Sequence, residues 1–138
     1  MKHIGLIGEE LTGSAIGAFY AVYDAFGSGF LEHLYVAALE RELQRRGHKV
    51  TREVNVPVFY RGERIGVQRL DMLVDGQLVI EVKAALSAMD YGSKQLFSYL
   101  RVTRLEVGLL FIFGSQPTFK RIVCRKADEN RQGRTGPH

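Results

Sequence analysis

The stretch from Arg69 to Lys83 holds the residues whose types and spacing can do chemistry: Asp71, then Glu81 and Lys83 one residue apart. Side chains alternate along an extended strand. Val79-Ile80-Glu81-Val82-Lys83 therefore shows Glu81 and Lys83 on one face and turns Ile80 and Val82 into apolar packing. Asp75-Gly76 marks a hairpin between this strand and the one carrying Asp71. A two-residue Asp75-Gly76 loop pairs Asp71 with Ile80 and points the carboxylate into the buried face. A three-residue loop, Val74-Asp75-Gly76 with Gly76 left-handed in a bulge, pairs Leu73 with Gln77 and Asp71 with Val79. That register gathers Leu70, Met72, Leu78, Ile80 and Val82 on one face and Asp71, Glu81 and Lys83 on the other. A one-residue slip exchanges the faces, so burial selects the second register. Two carboxylates beside an ammonium suit a Mg²⁺ or Mn²⁺ ion, with positions left for water and a phosphate oxygen. Lys83 then polarises the water or offsets charge on the transition state. An ordinary surface ion pair, worth about 0–1 kcal/mol, is the more common source of the bare spacing, which arises easily.

Two further places add to this set. Glu32 heads a row completed by Val36, Leu39 and Leu43, which either takes its carboxylate to solvent or aims it at something. Gln95 and Tyr99 stand four apart on a helix directly after the strand of Glu81 and Lys83, and Tyr91 shares their face. An amide and a phenol there can hold a phosphate backbone or a water, although ordinary amphipathicity explains the pair too. Other chemistry falls away. Gly5, Gly8 and Gly13 lack the strand and the Lys-Ser/Thr ending of a phosphate loop. His3, His33, His48 and His138 are too scattered for a zinc site or a triad, and surface roles are expected for them. Cys124, late in a strand-like segment, reads as a packed thiol.

The elements that must position these residues follow from a change of hydrophobic period. Leu11, Ala15, Phe19, Val22 and Ile16, Tyr20, Tyr23 fall at helical spacing from Glu9 to about Phe26, where Gly27-Ser28-Gly29 breaks the helix. A second helix is predicted from about Phe30 to Arg46, with Leu31, Leu34, Tyr35 and Ala38 on one face and Gly47 as its stop. The period then falls towards two over residues 49–60, 64–74 and 77–84. A third helix is expected over about 87–102, a buried strand over 106–113 and a last strand over 119–124. The order α-α-β-β-β-α-β-β is an α+β layout with helices on a mixed sheet.

The chain has 138 residues, 46% of them hydrophobic and 25% charged, with net charge +4. This is one domain's worth, residues 1–124, and a chain of this size buries about two-thirds of its unfolded surface without a staple. Residues 125–138 form a basic polar tail expected to be disordered. Four cations against two acids there account for +2 of the +4, so the body is only mildly basic. One cysteine excludes an intrachain disulfide framework and argues for a reducing, cytoplasmic setting. No apolar run approaches a membrane span, and acid and glycine come too early in MKHIGLIGEELTG for a secretory signal.

Taken in order, these motifs resemble the PD-(D/E)XK nuclease superfamily and, within it, the small GxxExxY proteins. Gly29, Glu32 and Tyr35 match the naming motif; Asp71 with Glu81-Val82-Lys83 matches the nuclease core. Gln95-Leu96-Phe97-Ser98-Tyr99 is similar to the Q-x-x-x-Y element of RecB-like nucleases. The resemblance spans residues 9–124, with Leu70 where the superfamily's name has proline. It implies a restriction-endonuclease-like αβββαβ core with an extra N-terminal helix and a C-terminal strand. It implies metal ligands at Asp71, Glu81 and the Val82 carbonyl, Glu32 as an added ligand or water-holder, and Lys83 as the catalytic lysine. Gln95, Tyr99 and Tyr91 would position substrate. His33 takes no role, and with no cysteine quartet the iron–sulfur variants are excluded. The expectation is a Mg²⁺/Mn²⁺-dependent deoxyribonuclease, with DNA preferred to RNA as partner and a homodimer or protein partner left open. Its rival is a non-catalytic nuclease-fold module that binds nucleic acid or a protein.

Overall fold

The computed structural model of the protein describes residues 8–125. The first seven residues, with His3 and Gly5, lie outside the described residues, as do 126–138 of the expected tail, with His138. Helix α1 (Glu9–Phe26) and helix α2 (Glu32–Arg45) come first. They are followed by strands β1 (Val50–Tyr60), β2 (Glu63–Val74) and β3 (Leu78–Lys83), helix α3 (Met89–Thr103), and strands β4 (Val107–Phe113) and β5 (Pro117–Val123). The boundaries differ from the expected ones by at most two residues. Helix α3 starts two residues late because Leu86–Ala88 form a 3₁₀ turn ahead of it.

Among the described residues the strands form one sheet in the order β1-β2-β3-β4-β5. Every pairing is antiparallel except β3 with β4, which run parallel because α3 carries the chain across between them. Helices cover both faces of the centre, so all seven residues of β4 are buried. On one face Ala15, Phe19, Tyr35 and Leu39 of α1 and α2 pack on Met72, Ile80, Val82, Phe111 and Phe113. On the other, Leu96, Tyr99 and Leu100 of α3 pack on Leu70, Val79, Leu110 and Ile112, with Cys124 buried among them. The buried stripe of α2 is Tyr35, Val36, Leu39 and Leu43. Leu31 and Leu34, expected on that face, are exposed. Leu31 precedes the helix, and Leu34 lines an outer hollow with Phe26 and Phe30.

The β2–β3 hairpin differs from both expected registers. Its loop is Asp75-Gly76-Gln77, and Val74 pairs with Leu78, Leu73 with Val79, and Met72 with Ile80. Asp75 and Gly76 both have left-handed φ, 53° and 67°, and the Gln77 N–H donates to the Val74 carbonyl. That is a type I′ turn, whose twist suits a hairpin better than the expected bulge. Asp75 is held there because its carboxylate accepts from the Lys49 N–H at 2.8 Å and bonds His48 Nδ1 at 2.8 Å. The slip relative to the favoured register is two residues, so the expected faces survive from Met72 through Val82.

Leu70 leaves its expected face because the strands bend there. Glu53 of β1 has φ 54°, and the β1–β2 ladder skips from Arg52↔Met72 to Val54↔Leu70. Alternation breaks at this point, and Leu70 packs under α3.

Candidate active site

The same bend builds the site. The ladder between β2 and β3 runs only from Met72–Val74 to Leu78–Ile80. Beyond it β2 follows β1 away from β3, which leaves the Val82 N–H without a strand partner. Asp71 supplies one: its Oδ2 accepts from the Val82 N–H at 2.8 Å. One carboxylate therefore spans the place where the sheet splits.

Glu81 and Lys83 lie on the far lip of the split, as alternation predicts, with Glu81 Oε2 and Lys83 Nζ 3.3 Å apart. Glu81 is 3% exposed. Burial, and secondarily the charge of Asp71, push its carboxyl up to about 8 against the opposing pull of Lys83. Burial also raises Asp71, opposed by the Val82 hydrogen bond and by Lys83. Two acids thus lie beside one ammonium, with the Arg52 guanidinium also acting on Asp71, and burial outweighs both cations in raising their carboxyls.

Glu32 completes the acidic side. Gly29 has φ 105°, a conformation that favours glycine, and Tyr35 fixes the connection from α1. Its hydroxyl donates to the Gly27 carbonyl at 2.6 Å and accepts from the Phe30 N–H at 3.2 Å. Its ring stacks on Phe113, 4.1 Å between centroids. Glu32 thereby opens α2 within electrostatic range of Lys83 and Asp71, with the Ala84 backbone acting to lower its carboxyl. Burial is the larger influence and raises its carboxyl. A cleft of about 410 Å³ runs between Glu32, His33 and Val36 of α2 and Arg52, Glu53 and Asp71 of the strands.

Gln95 and Tyr99 approach from α3. Gln95 Nε2 donates to the Tyr99 hydroxyl at 2.9 Å, and that hydroxyl donates to the Arg69 carbonyl at 2.6 Å. Tyr99 is 2% exposed, and burial, then the Glu81 charge, push its phenol up to about 12. It pins α3 to β2 two residues from Asp71. Tyr91 is exposed, with Lys83 Nζ 5.4 Å from its ring centroid.

As a metal site the donors are all oxygen, which suits a hard cation. Glu81 Oε1 and Gln95 Oε1 are buried with no hydrogen-bond partner, so the pocket has acceptor capacity that the protein leaves unused. Among the described residues no three His, Cys, Asp or Glu side chains cluster closely enough to hold a metal by themselves. The set fits an ion that keeps several waters, as Mg²⁺ does.

Sequence reasoning missed one arrangement. His48, expected on the surface, has 14% of its side chain exposed. It lies between Ser14 Oγ, 2.7 Å from Nε2, and Asp75 on Nδ1. Because Ser14 belongs to α1, His48 precedes β1 and Asp75 lies in the hairpin turn, only the fold brings them together. Ser14 lies within a helix and lines none of the three cavities described, including the largest, about 600 Å³ between α1 and α2. The group ties elements together rather than forming a nucleophile site.

A family model of the PD-(D/E)XK nuclease superfamily matches residues 9–123. The chain belongs to this superfamily. No curated protein matches it significantly. Among solved structures it is similar to the crystal structure of SSO0001, with TM-score 0.54 and 20% identity over 91% of this chain. It spans 64% of that chain's length, and the likeness shows the shared fold. It is also similar to an alkaline exonuclease, LHK-Exo, from Laribacter hongkongensis, at TM-score 0.44 and 14% identity, covering 94% of this chain and 77% of that one. Among the described residues no helix is long and apolar enough to cross a membrane. Within the superfamily's fold, the split between β2 and β3 brings together Asp71, Glu81, Lys83 and Glu32.

Proposed function

We propose that this member of the superfamily is a divalent-metal-dependent nuclease that hydrolyses DNA phosphodiester bonds with an activated water. The observation that carries the reading is the buried acid pair: Glu81 has one oxygen unpartnered and lies close enough to Asp71 for that charge to help push its carboxyl up to about 8. A structural ion pair of Glu81 with Lys83 has no need of a second acid whose charge raises the first. Asp71 and Glu81 would hold Mg²⁺ or Mn²⁺, joined by the Val82 carbonyl, since a strand residue's C=O points to the same side as its N–H. Glu32 would complete the set as a ligand or through a water. The ion, when bound, neutralises phosphate charge and lowers the pKa of water.

Lys83 then has a definite task. Its Nζ lies 3.3 Å from Glu81, so it can orient the attacking water and stabilise charge building on the phosphoryl oxygens. Gln95 and Tyr99 act mainly as positioning residues, since the Tyr99 hydroxyl is committed to the Arg69 carbonyl and sets the height of β2 beside Asp71. Glu32 in its Gly29-Phe30-Leu31-Glu32-His33-Leu34-Tyr35 setting supports placement with the GxxExxY proteins, and the Gln95–Tyr99 pair supports a RecB-like relationship. The test is incubation with linear, circular, single-stranded and branched DNA, with Mn²⁺ or with EDTA. Cutting only in the metal arm is expected. Absence of cutting in both arms overturns the reading in favour of a binding module.

A further inference from the structure

The two hollows beside the acid pair differ in charge. The α2-side cleft carries three acids, Glu32, Glu53 and Asp71, against one guanidinium, Arg52. The α3-side groove, about 520 Å³, has Arg69 and Lys94 among its lining residues and no carboxylate. Neither cation forms an ion pair with another described residue. Tyr91 lines the same groove at 65% exposure, and Lys83 Nζ lies 5.4 Å from its ring centroid, which sets the groove beside the Glu81–Lys83 pair.

We propose that this groove takes an unpaired polynucleotide strand, with phosphates on Arg69 and Lys94 and one base stacked on Tyr91. The proposal rests on the nuclease reading for where the scissile phosphate lies. The cations would attract either a duplex or a single strand. Tyr91 decides between them: bases in a duplex are already stacked on both faces, whereas an unpaired base gains on an open aromatic ring. The tip of the β1–β2 hairpin repeats the chemistry. Phe59 and Tyr60 are exposed there, and Arg61 sits 5.5 Å from the Tyr60 ring centroid.

The test is fluorescence anisotropy in EDTA with labelled short oligo(dT), oligo(U) and a duplex of equal length. Either single strand is expected to bind about tenfold or more tighter than the duplex, the tighter of the two naming the sugar. Tyr91→Ala is expected to remove about tenfold of that affinity and Tyr91→Phe to retain it. Arg69→Ala and Lys94→Ala are each expected to flatten the slope of log K against log salt by about 0.7. Duplex bound as tightly as single strands, or single-strand binding indifferent to Tyr91→Ala, overturns the proposal. Tight single-strand binding with no metal-dependent cutting would instead sink the nuclease reading and leave this one standing. Metal-dependent cutting of a duplex without single-strand preference would do the reverse.

Discussion

Glu81 is the residue at which stability and function oppose each other. Its carboxyl, raised to about 8, binds a proton in the folded chain at pH values where the unfolded chain has released it. The folded state therefore holds more protons between the ordinary glutamate range and about pH 8, and stability must fall as pH rises through that window. In the metal-free protein we expect the melting temperature to drop from pH 5 to pH 8 and Glu81→Gln to flatten the drop. A Glu81→Gln protein that melts lower than wild type at pH 8 would show the acid to be a structural asset. The grouping of Glu81 with Lys83 was legible in the sequence because alternation along β3 depends only on parity, whereas Asp71 joins them where β2 breaks alternation, through its bond to the Val82 N–H. The hairpin register slipped by two residues without disturbing the Glu81–Lys83 pair. The slip itself was not legible, since it depends on His48 and Lys49 holding Asp75 left-handed from a distant loop.

At the scale of elements, the site depends on how α2 and α3 are anchored to a sheet that splits between β2 and β3. The Tyr35 hydroxyl closes the α1–α2 connection with two hydrogen bonds. Tyr35→Phe is expected to cost about 1–2 kcal/mol of stability, measured by urea unfolding. It should also lower activity by releasing Glu32, and an unchanged unfolding midpoint would contradict that role. Gly29, Glu32 and Tyr35 could be read as a motif from spacing, but the bonds Tyr35 makes are visible only in the fold. Leu70 shows the converse. A regular strand puts it with Met72, yet the left-handed Glu53 on the neighbouring strand breaks alternation there. No local pattern in β2 records that bend, and the same bend frees the Val82 N–H for Asp71.

For the molecule as a whole, the half-covered sheet provides a rigid floor, while the unused acceptors at its split supply the means to bind an ion. An ion that binds only the folded state stabilises it, by about 2.7 kcal/mol at a hundredfold excess over Kd. For a chain of this size that is a rise of about 5–10 °C in melting temperature with Mn²⁺. Asp71→Asn is expected to abolish the rise, and a wild-type protein indifferent to Mn²⁺ would count against a metal site. The α-α-β-β-β-α-β-β order was legible because each element keeps its hydrophobic period over several turns or pairs. The asymmetry between an acidic and a basic hollow was not, since it joins residues from α2, α3 and two strands.

The most direct measurement is the cleavage rate of the most readily cut DNA substrate, with Mn²⁺, by wild type and by Lys83→Ala of equal melting temperature. The geometry predicts that wild type cuts and that Lys83→Ala loses about 10²–10³-fold, in line with removing one stabilising donor from a reacting centre. Equal rates in the two proteins would contradict the assignment of the cleft as the site of hydrolysis.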